Sequence, residues 1–351
     1  MKKIKILSID SGGIKGLVPA VILNYIEELI QNKSNNPNAT LSDYFDMIAG
    51  TSTGGILACF YLIPSGNEER KAKFFAKEAI TLYTEKGKDI FKPKLTKKFS
   101  SINHKFMSTL NTANNLISEE YSEEGLEAIL EETMGETKLS NSIKHCFVVS
   151  YDISICKPVM FSTPEAQKYI HRDYYLKHVA RATSAAPTYF KIAAVTSLAG
   201  ATSYLIDGGI FAPNPALCAI VEANKHFLKE TNKSYIDDLF VLSVGTGNEK
   251  EEYDYKKAQN WGIAHWAIPV LNIMQSASTE IVDYQIRQLF SKQNKPENYF
   301  RIAPDLCNAK FDIDDVSDEN IKNLKDAALY YIAKNAEKLD DLVDKILKVD
   351  K

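Results

Sequence analysis

The chain has 351 residues and a formal net charge of −3, from 42 Lys and Arg against 45 Asp and Glu. Hydrophobic residues make up 45% of it and charged residues 25%. These fractions are ordinary for a globular protein, and they exclude a disordered chain, a collagen-like fibre and a disulfide scaffold. Because nucleic-acid-binding proteins are usually basic, a nearly neutral chain predicts no nucleic-acid partner.

The amino-terminal part of the chain reads as two strand–turn–helix units. Residues 5–9 predict a strand, residues 11–16 a glycine-rich turn, and residues 17–31 a helix with apolar side chains at helical spacing. Residues 44–49 predict a second strand and residues 53–62 a second helix. Two such units in succession predict parallel strands in an α/β sheet.

Later segments extend this pattern. Helical spacing predicts helices over residues 68–87, 122–134 and 317–349, and compact apolar runs predict buried strands over 146–151 and 239–244. The sequence shows no internal repeat and no long Pro/Gly linker.

These observations favour one domain over the whole chain. We expect a single domain over residues 1–351, with a catalytic core at about 5–247 and a helical region at about 257–349.

The sequence predicts a protein of the cytoplasm or the membrane periphery. Asp10 ends the first apolar run too early for a signal peptide, and the longest apolar run, 56–64, is too short to cross a bilayer. The five cysteines are scattered and form no CxxC, so they indicate reduced thiols rather than a zinc or redox site. Export without a signal peptide stays open.

A serine lies in a turn that is typical of nucleophiles. The segment Gly50-Thr51-Ser52-Thr53-Gly54 follows a predicted strand and opens a predicted helix, the context in which GxSxG has meaning. Such a turn exposes the serine Oγ beside the free N–H groups of the helix, which favour an oxyanion. The alternative is a chance match in a Gly/Ser-rich turn.

A glycine loop precedes that turn in the chain. Asp10-Ser11-Gly12-Gly13-Ile14-Lys15-Gly16 lies between a predicted strand and helix, and it matches neither GxxxxGK[ST] nor GxGxxG. Bare backbone N–H groups suit a phosphate cradle or an oxyanion hole, and a simple packing turn is the third alternative. A serine nucleophile downstream favours the oxyanion hole.

The serine needs a proton acceptor, and the histidines offer no clear one. None lies in a Gly-flanked turn after an apolar strand, and each is predicted as a surface or helix residue; they are His104, His145, His171, His178, His226 and His265. Instead, a predicted strand over 204–206 runs into Asp207-Gly208-Gly209. A free Asp has a pKa of about 3.9 and is a weak base, but burial raises that pKa. A turn-starting Asp is the alternative.

Together these motifs resemble those of the patatin-like phospholipases. That family has a D-G-G-G-x-[KR]-G loop, then G-x-S-x-G, then D-G-[GA]. Other stretches are similar to plant patatins, so the resemblance spans nearly the whole chain; they are residues 41–46, 182–190, 214–216, 242–247 and 261–262.

The resemblance implies a three-layer α/β/α fold with a mostly parallel central sheet. It also implies a lipid acyl hydrolase of the phospholipase A or lysophospholipase type, acting on phospholipids or other acyl lipids without a metal or cofactor. A protein activator is neither indicated nor excluded.

For the site, the resemblance implies a Ser–Asp dyad and an acyl-enzyme. Ser52 would be the nucleophile, Asp207 the proton acceptor, and the N–H groups of Gly12 and Gly13 the oxyanion hole. The other motif residues would support them; they are Asp10, Ser11, Lys15, Gly16, Gly50, Thr53, Gly54, Gly208 and Gly209. Ser11 replaces the family's first loop glycine, and a positive φ there would be strained.

Two other functions stay open at the level of sequence. An α/β-hydrolase triad of Ser52, Asp207 and either His226 or His265 has a possible chain order. A catalytically weak lipid-binding or storage protein with the same fold is the second.

The segment 91–106 mixes five lysines with apolar side chains, and it could contact an anionic membrane transiently. We favour a solvated loop, because charge runs are usually solvated.

Overall fold

A computed structural model describes residues 3–66, 70–91, 121–227, 235–248 and 253–348. Among these residues, eight strands form one mixed sheet. The strands are β1 (Ile4–Ile9), β2 (Met47–Thr51), β3 (His145–Asp152), β4 (Lys157–Ser162), β5 (Ala193–Thr196), β6 (Thr202–Asp207), β7 (Leu239–Val244) and β8 (Tyr299–Ile302).

The α-helices of the described residues vary from single turns to a helix of 30 residues. They are α1 (Leu17–Ser34), α2 (Leu41–Tyr44), α3 (Thr53–Tyr61), α4 (Ala76–Thr84), α5 (Gly87–Ile90), α6 (Glu123–Met134), α7 (Thr163–Lys168), α8 (Leu176–Thr183), α9 (Ala216–Phe227), α10 (Tyr255–Ala258), α11 (Ile263–Lys292), α12 (Asp318–Lys334) and α13 (Ala336–Leu347). Short 3-10 helices cover Gly13–Gly16, Gly208–Ile210 and Pro296–Asn298, among others.

Parallel strands make up the centre of the sheet. The strands β3, β2, β1, β7 and β8 lie side by side in that order, all parallel, whereas β4, β5 and β6 pair antiparallel. The two predicted strand–turn–helix units are confirmed as β1 to α1 and β2 to α3. Parallel strands end at the same edge, so the turns after β1, β2 and β7 meet there.

Helices cover both faces of the sheet. Along β1, Leu7 and Ile9 belong to one buried cluster and Ile6 to the other, as the strand period of two requires. The first cluster packs against α1, α3, α8, α12 and α13, and the second against α9 and α11. The predicted α/β/α layers with a mostly parallel sheet are therefore confirmed.

The register of β3 fixes where two other strands end. Residues 147–152 of β3 pair with β4, so β2 and β6, which pair with residues 145–149 and 150–152, must both lie along the opposite edge. There Thr51 of β2 pairs with Val149, and Asp207 of β6 pairs with Ser150. The two strands therefore run towards each other and meet end to end.

Several predicted boundaries were wrong. The second strand begins at Met47 rather than at residue 44, because a capping box of Thr40 and Asp43 starts helix α2 at Leu41. The predicted helix over 68–87 begins only at Ala76, and the one over 317–349 is two helices, divided at Asn335.

The carboxyl-terminal helices share the core of the first layer. Leu339 and Leu342 of α13 are buried in the same cluster as the residues of α1. Lys33 at the end of α1 also pairs with Asp340 and Asp344. The single domain over residues 1–351 stays a prediction.

The sequence led to two predictions about membranes, one about the segment 91–106 and one about membrane-spanning helices. Most of the lysine-rich segment 91–106 lies outside the described residues, which include only its first residue, the buried Phe91. Among the described helices, none combines the length and the apolar character that crossing a bilayer requires.

A buried carboxylate ties α1 to the starts of two other helices. Glu27 accepts hydrogen bonds from the backbone N–H groups of Leu41 at 2.9 Å and Ala76 at 2.6 Å. We expect Glu27→Leu to lower the free energy of unfolding by about 2 kcal/mol or more, since two buried N–H groups lose their acceptor. Urea denaturation measures this change.

The neighbouring exposed Glu28 provides the control, because Glu28→Leu removes a carboxylate that accepts only an exposed side-chain bond from Asn24. Equal stability of the two variants would contradict the role of Glu27. Glu27→Gln keeps one acceptor oxygen and should lie between wild type and Glu27→Leu.

Candidate active site

Ser52 occupies the turn between β2 and α3 in a strained conformation. Its φ of 55° and ψ of −123° lie outside the regions that side chains favour, a state that costs roughly 1–3 kcal/mol. The Ser52 N–H donates to Thr183 Oγ1 at 2.9 Å, and Thr51 Oγ1 donates to the Ala212 carbonyl at 2.8 Å. These bonds hold the turn from both sides.

The glycines of this turn allow a close approach of backbones. A Cβ on Gly50 would lie 2.0 Å from the Gly54 carbonyl oxygen, and one on Gly54 would lie 2.2 Å from the Ile9 carbonyl oxygen. No side chain fits at either position. The turn therefore packs directly on the end of β1, from which the glycine loop starts.

Asp207 faces Ser52 from the end of β6. The Ser52 hydroxyl donates a hydrogen bond to the Asp207 carboxylate, and Oδ1 of that carboxylate also accepts from the Gly209 N–H at 2.6 Å. Burial raises the pKa of Asp207 to about 7, although both hydrogen bonds lower it. At neutral pH this carboxyl group is therefore a far better base than a free Asp.

The glycine loop brings bare N–H groups to the same edge. Among the described residues, none accepts a hydrogen bond from the N–H of Gly12 or Gly13. Gly13 has a φ of 59°, and a Cβ there would lie 2.2 Å from the Ile313 carbonyl oxygen. The loop thus requires glycine at this position, and Gly13 lines the same cavity as Ser52.

Ser11 does not strain this loop. Its φ is not positive, so a side chain is tolerated where the resemblance led us to expect glycine. Its N–H donates to the Pro213 carbonyl at 2.9 Å, and its carbonyl accepts from Thr246 Oγ1 at 2.6 Å.

Other motif residues pack the site together. The buried Lys15 has its Nζ 4.2 Å from the centroid of the Phe311 ring. Thr53 Oγ1 lies 2.6 Å from the Tyr83 hydroxyl, and a Cβ on Gly16 would lie 2.1 Å from Thr53 Oγ1. A Cβ on Gly208 would lie 2.5 Å from the Val149 carbonyl oxygen.

Sequence reasoning missed an ion pair behind the glycine loop. Arg301 of β8 donates from Nη2 to Asp10 Oδ2 at 2.5 Å and from Nη1 to Ser243 Oγ at 2.8 Å. Both charged side chains are at most 7% exposed. Burial raises the pKa of Asp10, and the Arg301 guanidinium opposes that rise. No motif marks Arg301, which lies 291 positions from its partner.

Sequence reasoning also missed an apolar cavity beside Ser52. Its lining includes Gly13, Ser52 and a group of apolar side chains, which are Ile14, Ile56, Ile90, Phe91, Leu126, Tyr189, Phe190 and Ile313. A second cavity shares Ile56, Ile90 and Leu126 with the first and extends to Leu130 and Met134 of α6. Helices far apart in the chain supply this lining, so no local pattern indicates it.

His145 and His226 lie away from this pair. His226 is 3.0 Å from Glu222, and its ring packs edge-on against that of His145, the first residue of β3. Ser150, which is level with Asp207, lies five residues further along β3, about 16 Å away. In the part of the chain that the structure describes, no histidine bonds to Asp207.

One expectation about the histidines was wrong. His145 is neither a surface nor a helix residue, because it is buried in β3. Burial lowers the pKa of its imidazole to about 3.

Comparison with known proteins gives a consistent result. A family model described as patatin-like phospholipase matches residues 7–220. The chain belongs to the patatin-like phospholipase family. The match includes the glycine loop, the Ser52 turn and Asp207, so the three motifs lie within the region that defines the family.

Plant proteins are among the similar relatives. The chain is 32% identical to patatin-like protein 2 of Oryza sativa subsp. indica, over 97% of this chain and 86% of that protein. It is 34% identical to patatin-like protein 2 of Arabidopsis thaliana, over 86% and 76% respectively, and 31% identical to patatin-17 of Solanum cardiophyllum, over 92% and 81%.

The buried ion pair generates a stability prediction. We expect Arg301→Met to lower the free energy of unfolding by about 3–5 kcal/mol, because it leaves the Asp10 carboxylate buried without its partner. The double variant Asp10→Asn/Arg301→Met should recover part of that loss, since no charge then remains. Denaturant titration of the wild type and three variants measures the coupling, and strictly additive losses would contradict it.

Proposed function

We propose that this protein is a lipid acyl hydrolase, which cleaves fatty-acyl esters of membrane lipids as a phospholipase A or lysophospholipase does. The observation that carries the proposal is the hydrogen bond between the Ser52 hydroxyl and the buried Asp207 carboxylate, beside an apolar cavity. The family model and the patatins among the relatives support the same class of reaction.

The first step in this proposal forms an acyl-enzyme. Ser52 Oγ attacks the ester carbonyl carbon while Asp207 takes the hydroxyl proton. The N–H groups of Gly12 and Gly13 stabilise the resulting oxyanion, together with the amino-terminal end of α3. When the carbon–oxygen bond of the ester breaks, the lipid alcohol leaves with the proton that Asp207 held.

The second step returns the enzyme to its starting state. A water molecule attacks the acyl carbon and gives a proton to Asp207. The bond from the acyl carbon to Ser52 Oγ then breaks, the fatty acid leaves, and Ser52 regains its proton from Asp207. No electron acceptor and no metal take part in this sequence.

The raised pKa of Asp207 suits a dyad without histidine. A carboxylate with a pKa of about 7 holds a proton long enough to pass it to the leaving alcohol. The apolar cavity suits a substrate with an acyl chain, because it lies against Ser52 and shares lining residues with a second apolar cavity that reaches Leu130 and Met134. The proposed partners are therefore an acyl-lipid substrate and, transiently, the membrane that holds it.

The dyad predicts which substitutions abolish activity. We expect Ser52→Ala and Asp207→Asn each to lower kcat on a soluble p-nitrophenyl ester by a factor on the order of a thousand or more. His226→Gln and His265→Gln should keep activity close to that of the wild type. Circular dichroism and thermal melts check that each variant is folded.

The same variants test the two alternative functions. A fluorophosphonate probe should label the wild type and not Ser52→Ala. If His226→Gln or His265→Gln is as inactive as Asp207→Asn, the site contains a triad. A wild type that neither reacts with the probe nor cleaves the ester would indicate a lipid-binding protein instead.

The pKa of Asp207 predicts the pH dependence of the reaction. Only the deprotonated carboxylate accepts the Ser52 proton, so kcat/KM should rise with pH and reach half its limiting value near pH 7. Below that pH it should fall about tenfold per pH unit. A profile measured from pH 5 to pH 9 that stays flat, in a range where the protein remains folded, would contradict Asp207 as the base.

A further inference from the structure

The helix α11 is much longer than the sheet beside it. Its 30 residues span about 45 Å, whereas a six-residue strand spans about 20 Å. Among its described side chains, those that pack on the second buried cluster lie near its carboxyl-terminal end; they are Val282, Ile286, Leu289 and Phe290. Because β8 starts at Tyr299, soon after α11 ends at Lys292, α11 runs from the carboxyl edge of the sheet to the amino edge.

The first half of α11 therefore extends beyond the edge that carries Ser52 and Asp207. The helix contacts the 3-10 helix Gly208–Ile210, which begins directly after Asp207. The free end of α11 and the candidate active site thus lie on the same side of the protein.

This half of α11 presents apolar side chains to solvent. Residues 263–279 contain no Asp, Glu, Lys or Arg. Five large apolar side chains are between 37% and 50% exposed; they form the α11 patch, which comprises Trp266, Val270, Leu271, Ile273 and Met274. All but Leu271 fall within an arc of roughly 100° around the helix. Monomeric proteins rarely expose such a patch without a partner for it.

Aromatic side chains gather at the amino-terminal end of the patch. Trp261 and Trp266 pack edge-to-face with ring centroids 5.1 Å apart, and Tyr253 packs against Trp261 at 5.6 Å. Tryptophan and tyrosine are the residues that favour the boundary between water and hydrocarbon, because each ring is amphipathic.

We propose that the α11 patch inserts shallowly into the lipid bilayer that holds the substrate, so that the edge with Ser52 faces the membrane. This inference rests on the proposed function. A bilayer fits the patch because the patch is uncharged and apolar, and because the helix that carries it contacts the 3-10 helix directly after Asp207. An acyl chain can then move from the bilayer to the cavity without crossing water.

The chemistry of the patch distinguishes this contact from an electrostatic one. Because residues 263–279 carry no charge, binding should occur on zwitterionic phosphatidylcholine vesicles and persist at high salt. Binding through the lysines of segment 91–106 would instead require anionic lipid and weaken with salt.

The two tryptophans make the contact directly measurable. They are the only tryptophans in the chain; Trp266 belongs to the patch, and Trp261 packs against Trp266. With phosphatidylcholine vesicles, we expect their fluorescence to shift to the blue and to be quenched by lipids brominated in the acyl chains. Unshifted, unquenched fluorescence at saturating lipid would overturn the proposal.

Charged substitutions test whether the patch is the contact. Val270→Asp/Met274→Asp should lower partition onto vesicles by about tenfold or more, and lower the rate on vesicle lipid in parallel. Leu329→Asp is the matched control, since Leu329 is 47% exposed on α12, in the opposite helical layer. Both variants should cleave the soluble p-nitrophenyl ester as the wild type does.

The outcomes separate this inference from the proposed function. If the double variant binds and cleaves vesicles like the wild type, the docking proposal is wrong. If light scattering shows that the wild type is a dimer and the double variant a monomer, the patch binds a second copy of the chain and the proposal is again wrong. If the wild type binds vesicles through the patch but does not cleave the soluble ester, the proposed function fails while the docking surface stands.

Discussion

The candidate site depends on two strands that meet end to end along one edge of β3. The strand β2 ends at Thr51, which pairs with Val149 of β3. The strand β6 runs in the opposite direction and ends at Asp207, which pairs with Ser150. A serine that follows the first strand and an acid that ends the second therefore lie within hydrogen-bonding reach. Their geometry comes from the backbone hydrogen bonds of the sheet, which are far stiffer than any loop.

Burial of Asp207 then changes the pKa of its carboxyl group. The same packing that excludes water from Asp207 raises its pKa to about 7, and the bond from Ser52 only partly offsets that rise. Around the pair, glycines let backbone segments approach each other more closely than side chains would permit. The Asp10–Arg301 ion pair anchors the start of the glycine loop to β8. A strained serine and a poorly solvated acid both cost stability, as is common where a fold serves a reaction.

The sequence predicted the parts of this arrangement that depend on local patterns. Apolar periodicity predicts the strands and helices around Ser52 and the glycine loop. The glycines between each strand and the next helix indicate the tight turns. The boundary at Met47 and the break at Asn335 were missed, because capping competes with hydrophobic spacing there. Arg301, the buried His145 and the cavity lining could not be found, since each depends on residues that only tertiary packing brings together. That Ser11 carries no strain was equally invisible without backbone angles.

The antiparallel entry of β6 has a consequence for how such a protein can change. Both members of the pair are registered against β3, which itself lies between them in the chain, so the loops that join these strands do not set their separation. Insertions or deletions there can reshape what surrounds the cavity while leaving the reacting atoms where they are. The residues that would select the substrate and those that would react with it thus lie in different parts of the chain. The first group can vary while the second keeps its geometry.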